Sequence, residues 1–150
     1  MEQLPSPPPF LEPPQPAAIT AQPRPGQLTL KWSRLFWVGW LLVGGSFAAI
    51  WYSSRLIGLS TWWLGPETEP RVIVVNVLPF TVPLSLSVAG FQRRRSLPLW
   101  GIAGAVFVAG IAAFDTVRVP GFAAIEFALA AAGLFVSVAS FAGMYRKALP

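Results

Sequence analysis

Cysteine and histidine are both absent from the 150 residues. Without cysteine there is no disulfide and no thiolate. Without histidine there is no imidazole acid or base, and the common zinc and haem ligands are missing. Charge is the next scarcity, at 11% of residues against about 25% in a soluble domain. Asp115 is the sole aspartate, and the glutamates are scattered. Intramembrane proteolysis needs paired aspartates, a serine with a base, or metal-binding histidines. Lipid phosphotransfer needs several carboxylates around a metal. The chain is therefore expected not to be an enzyme, and to carry no cofactor and no metal.

Hydrophobic residues make up 54% of the chain, gathered into four long apolar runs. The expectation is an all-α integral membrane protein, an antiparallel four-helix bundle preceded by a disordered tail. Net charge is +5, but the basic residues sit at the ends of the apolar runs. That placement is orientation signal and lipid-headgroup contact, so nucleic acid is not an expected partner. Arginine outnumbers lysine, and alanine, glycine and proline are frequent, the composition of a GC-rich bacterial genome.

Residues 1–31 form the tail. Its prolines, Pro5, Pro7, Pro8, Pro9, Pro13, Pro14, Pro16, Pro23 and Pro25, fix φ and remove amide donors. An extended, cytoplasmic polyproline-II arm is expected. Pro5-Ser6-Pro7-Pro8 and Pro13-Pro14-Gln15-Pro16 fit the P-x-x-P docking pattern, which makes a cytoplasmic partner a possibility to weigh. Glu2 and Glu12, with no basic start, argue against a signal peptide.

The bundle is assigned to residues 32–147, with spans at about 35–54, 72–91, 97–114 and 121–143. Each has roughly the twenty apolar residues that cross a core of about 30 Å. In the first run, Trp32, Trp37 and Trp40 mark the entrance and Trp51 and Tyr52 the exit, matching two interfacial aromatic belts. Gly44 and Ala48 form a small-x-x-x-small pair for close helix contact. Arg55 to Arg71 is the first outside segment; Leu56, Ile57, Leu59, Trp62, Trp63 and Leu64 make it too apolar for a free loop, and it reads as a short continuation of the first helix or an interfacial helix on the outer leaflet. Glu67 and Glu69 belong to an exposed turn.

Pro79 and Pro83 lie one turn apart in the second run and should bend it. Thr81, Ser85 and Ser87 are candidates to satisfy the carbonyls the prolines free. The hinge Arg93-Arg94-Arg95 follows, and fixes that loop on the cytoplasmic side. In the third run Gly101, Ala105, Ala109 and Ala113 recur every fourth residue, a stripe for close approach. Asp115 and Arg118 belong to a tight outer turn, where they can pair locally.

The fourth run carries Glu126, the one acidic residue expected within an apolar segment. Glu126, Ala130, Gly133, Ser137 and Ser140 follow the rhythm of one helix face, small and polar, so that face meets protein or a cavity. A carboxylate at this depth is costly unless neutral, hydrated or paired. Asn76 lies at a similar depth, and a contact from Glu126 to Asn76, or to Arg55, Arg71 or Arg118, is expected. Tyr145-Arg146-Lys147 closes the chain.

Arg24, Lys31, Arg34, Arg93, Arg94, Arg95, Arg146 and Lys147 fall on one side and Arg55, Arg71 and Arg118 on the other. This asymmetry puts both termini in the cytoplasm of a bacterial inner membrane. Two functions fit. One is a non-catalytic accessory or assembly subunit of a larger membrane complex, with membrane lipids and a membrane-protein partner or a second copy as its contacts. The other is a small proton-coupled transporter working as a homo-oligomer, with Glu126 as the proton site. For the transporter the likeness to small multidrug exporters ends at size.

Overall fold

A computed structural model describes residues 24–69 and 71–145. The described chain is all-α. Helix α1 spans Leu30–Ile57, α2 Ile73–Phe91, α3 Leu97–Asp115 and α4 Pro120–Ala139, and a short 3-10 turn, Ser140–Gly143, follows α4. All four long helices are long and apolar enough to cross a membrane. Residues 1–23 of the proline arm, and the Arg146-Lys147 anchor, lie outside the described residues.

Local chemistry sets the boundaries. Helix α1 stops where Gly58 takes the left-handed conformation, with φ 69°, the backbone that glycine adopts without a Cβ penalty. Helices α3 and α4 each open with a proline in their first turn, where the missing amide costs nothing. Helix α1 also starts earlier than its apolar run, at Leu30. At 28 residues it is about 42 Å long, more than the hydrocarbon core needs.

Glycines and aromatic rings set the packing. Gly90, near the end of α2, lies against Phe36 and Trp37, near the start of α1. Midway along the pair, Gly44 faces Pro83, and a Cβ on the glycine would stand 3.3 Å from the proline ring. Gly101, near the start of α3, receives Ser137 from the end of α4. Trp40 fills the centre. It is fully buried, its ring reaches Gly104 of α3 and Gly133 of α4, and its indole N–H donates to Ser137 Oγ at 3.3 Å. Trp40 therefore belongs to the core and not to the interfacial belt, because two glycines make room for its ring.

The every-fourth-residue stripe of α3 needs revision. Gly101 and Ala105 are buried, Ala109 is half-buried and Ala113 is exposed. Four-residue steps drift around a helix of 3.6 residues per turn. The face that is buried alternates steps of four and three: Leu97, Gly101, Gly104, Val108, Ile111, Asp115. On α1, Gly44 is buried but Ala48 is exposed. On α4 the positions of Glu126, Ala130, Gly133, Ser137 and Ser140 are all buried.

The interior combines an aromatic and aliphatic core with several polar side chains, and the outer surface is apolar. Ser33, Ser54, Ser87, Asp115, Glu126, Ser137 and Ser140 are buried, while Leu42, Ile73, Val106, Phe114 and Phe135 are exposed. Such a surface is stable against lipid tails, and the interior holds its polar groups by hydrogen bonds. The chain is a multi-pass membrane protein.

Pro79 and Pro83 are both buried, and α2 continues through them. Their missing amides release the carbonyls of Val75 and Pro79. The neighbouring hydroxyls go elsewhere: Thr81 Oγ1 donates to the Leu78 carbonyl at 2.7 Å, and Ser87 Oγ crosses to the Trp37 carbonyl of α1 at 3.0 Å. The second bond ties the two helices together.

Candidate functional site

The segment between α1 and α2 builds the site. Instead of lying on the membrane surface as an interfacial helix, residues 59–65 form a non-helical loop against the end of the bundle. Thr61, Trp63, Leu64 and Gly65 are buried. The Gly65 amide donates back to the Thr61 carbonyl at 3.1 Å, and Ser54 Oγ donates to the Leu59 carbonyl. These bonds satisfy backbone that an apolar loop would otherwise leave bare.

Two tryptophans fasten this loop to α3 and α4. The Trp62 backbone amide donates to Asp115 Oδ1 at 2.8 Å, and its indole N–H donates to the Ile111 carbonyl at 3.1 Å. The indole of Trp63 donates to Glu126 Oε1 at 3.2 Å. Its ring meets Phe47 and Phe80 edge-on, with centroids 6.2 and 6.0 Å apart. Asp115 and Glu126 are both fully buried. Each therefore has one oxygen engaged by the loop, while Asp115 Oδ2, Glu126 Oε2 and the buried Thr61 Oγ1 find no partner among the described residues.

The expected partners of Glu126 are displaced. Asn76 Nδ2 bonds the Arg71 carbonyl at 3.2 Å, within its own helix start. Arg55 stands 3.9 Å from Glu67 on the exposed rim, and Arg118 is exposed. Trp63 takes the role given to Asn76 or an arginine, since an indole N–H can enter an apolar interior without bringing a full charge. Asp115 likewise serves the loop rather than a local ion pair, because it closes the buried face of α3. Ser137 and Ser140 lie further along α4. Ser137 Oγ accepts from Trp40 and donates to the Gly133 carbonyl at 2.7 Å, and Ser140 Oγ donates to Val136 at 2.7 Å.

Sequence reasoning singled out Glu126 but missed Trp63 as its partner, and missed Trp62 as the partner of Asp115. Asp115 carried a signal, since it continues the register of Gly101, Gly104, Val108 and Ile111. A buried carboxyl with one unpartnered oxygen, as at Asp115 and at Glu126, is chemically suited to proton exchange. Among the described residues no three of His, Cys, Asp and Glu come together as metal ligands. Arg93, Arg94 and Arg95 occupy the opposite end of the bundle, between α2 and α3. Comparison with known protein families, with characterised proteins and with solved structures gives no match.

Proposed function

We propose that the chain is a non-catalytic accessory or assembly subunit of a larger membrane complex, working through protein and lipid contacts. The filled centre of the bundle carries this reading: Trp40 closes the axis between Gly104 and Gly133, and Phe36 and Phe47 are buried beside it. A single copy so packed offers its lateral faces to neighbours. The proline-rich composition of residues 1–23 suits recognition by a cytoplasmic partner.

The supporting experiment is the native mass of the full chain extracted in mild detergent, with identification of what co-purifies. A stoichiometric larger complex is expected. A homogeneous homo-oligomer without a partner would overturn the accessory reading. It would favour the small proton-coupled transporter, for which the uncommitted oxygens of Glu126 and Asp115 are the specific observation.

The setting proposed is a bacterial cytoplasmic membrane with both termini in the cytoplasm. Eight of the eleven basic residues fall on that side, as the positive-inside rule requires. The chain lacks cysteine, so single introduced cysteines report cleanly. Gln92→Cys should be shielded from an impermeant maleimide in intact cells and Thr68→Cys labelled; the reverse pattern would refute the orientation.

A further inference from the structure

The arginine end of the bundle is assembled from three separate stretches of chain. Residues 26–29 run beside 143–145: the Tyr145 amide donates to the Gln27 carbonyl at 2.9 Å, the Gly26 amide to Tyr145 at 3.0 Å and the Thr29 amide to Gly143 at 2.9 Å. The hinge between α2 and α3 is tied onto this pair. The Ser96 amide donates to the Gly26 carbonyl at 3.1 Å, and Arg93 Nη2 donates to the Leu28 carbonyl at 3.0 Å. Arg93 and Ser96 both take left-handed backbone, with φ 53° and 58°. Non-glycine residues hold that conformation at a cost of about 1–2 kcal/mol each, so the surrounding contacts must over-determine the turn.

The product is a cavity of about 490 Å³ lined by Arg24, Gln27, Gln92, Arg93, Arg94 and Arg95. Among the described residues no acidic side chain lines it. Arg93 is committed to Leu28 and Arg94 Nε to Gln92 Oε1 at 3.0 Å, whereas Arg95 makes no hydrogen bond or ion pair among the described residues. Several guanidinium groups gathered without a carboxylate repel one another. The chemistry that resolves this is a phosphate, which guanidinium forks bind with high geometric match.

The cavity continues along the helices. A groove over Leu84, Val88 and Ala89 shares Gln92 and Arg94 with it. That groove shares Ser85 with a further cleft between α2 and α3, lined by Thr81, Trp100 and Phe107 among others. From Gln92 to Thr81 along α2 is about 16 Å, close to half of a hydrocarbon core of about 30 Å. A charged pocket joined to an apolar groove one leaflet deep has the shape of a phospholipid.

We infer that this end of the bundle is a binding site for one anionic phospholipid, with its phosphate among Arg24, Arg94 and Arg95 and an acyl chain in the α2–α3 groove. The lipid bridges the arginine turn and the paired segments 26–29 and 143–145. It neutralises the guanidinium cluster and covers the one lateral face where α2 and α3 leave a cleft.

Native mass spectrometry of the full chain in micelles tests the site, with added dioleoylphosphatidylglycerol, dioleoylphosphatidylcholine or the soluble headgroup glycerophosphoglycerol. One phosphatidylglycerol should bind in preference to phosphatidylcholine. The pair of substitutions Arg94→Gln and Arg95→Gln should weaken it by about thirtyfold, the fold-change equivalent to about 1 kcal/mol per arginine. Arg93 is left in place so that its bond to Leu28 is kept. Ala89→Trp, which fills the groove and leaves the arginines untouched, should weaken phosphatidylglycerol as well. Equal binding of the two lipids would overturn the proposal. So would glycerophosphoglycerol binding as tightly as the lipid with Ala89→Trp having no effect, which would make this a site for a soluble phosphate.

Discussion

The bond from Trp63 to Glu126 can be weighed by removing each end separately and then both together. Trp63→Phe deletes the indole N–H while keeping a ring against Phe47 and Phe80. Glu126 then keeps both oxygens buried, with Oε1 newly deprived of its donor at 3.2 Å. Glu126→Leu leaves the opposite orphan, an indole N–H in a dry interior. Leaving one partner of a buried pair unsatisfied costs about 1–3 kcal/mol, and replacing both by apolar groups is close to neutral. The double variant should therefore be less destabilised than the two singles added together. Interhelical hydrogen bonds in membranes average about 0.6 kcal/mol in such cycles, with the largest near 1.7. Full burial of the Glu126 side chain places this pair toward the upper end, so a coupling of about 1–2 kcal/mol is expected. The assay is reversible unfolding in mixed micelles by denaturing detergent, followed by helix content for the four chains. Additivity within about 0.5 kcal/mol, the ordinary result for independent sites, would refute the claim that Trp63 and Glu126 form a working pair.

Gly101→Ala and Gly133→Ala should each lose about 1–3 kcal/mol by overpacking, since their new Cβ atoms meet Ser137 and the Trp40 ring. Gly110→Ala, with nothing within 4 Å, should be neutral or gain up to about 1 kcal/mol, and equal melting temperatures for all three would contradict the packing described. Asp115→Leu should release the Trp62 amide, speeding its hydrogen exchange by about two- to tenfold for the loss of a hydrogen bond of about 0.5–1.5 kcal/mol; unchanged exchange would remove Asp115 from the loop anchor. Asn76→Ala should leave the exchange of Trp62 and the stability of the Trp63 contact unaltered, because the Asn76 side chain donates to the Arg71 carbonyl and not to the loop; a strong effect would restore it to the site.

Most of the fold was legible because a membrane helix writes its length into the sequence. The runs after the arginine hinge and after Pro120 begin where α3 and α4 begin, since arginine and proline mark those boundaries for physical reasons that need no tertiary structure. What escaped was whatever depended on a neighbour. Trp40 resembles a belt residue until Gly104 and Gly133 are seen to receive its ring. Ala113 resembles a packing residue until the true helical period turns it off the buried face.

The loop between α1 and α2 is the strongest case. Its apolar composition has two physical outcomes, contact with lipid or contact with the bundle, and local pattern does not distinguish them. The choice is made by two carboxylates far along the chain. Asp115 and Glu126 each need a donor in a dry interior, and the loop brings an amide and an indole N–H to meet them. The acids accept the loop's N–H groups, and the loop supplies the donors the buried acids need. Glu126, read by itself, therefore invites a charged partner such as Arg71 or Arg118, when the interior favours a neutral donor that brings its own apolar ring.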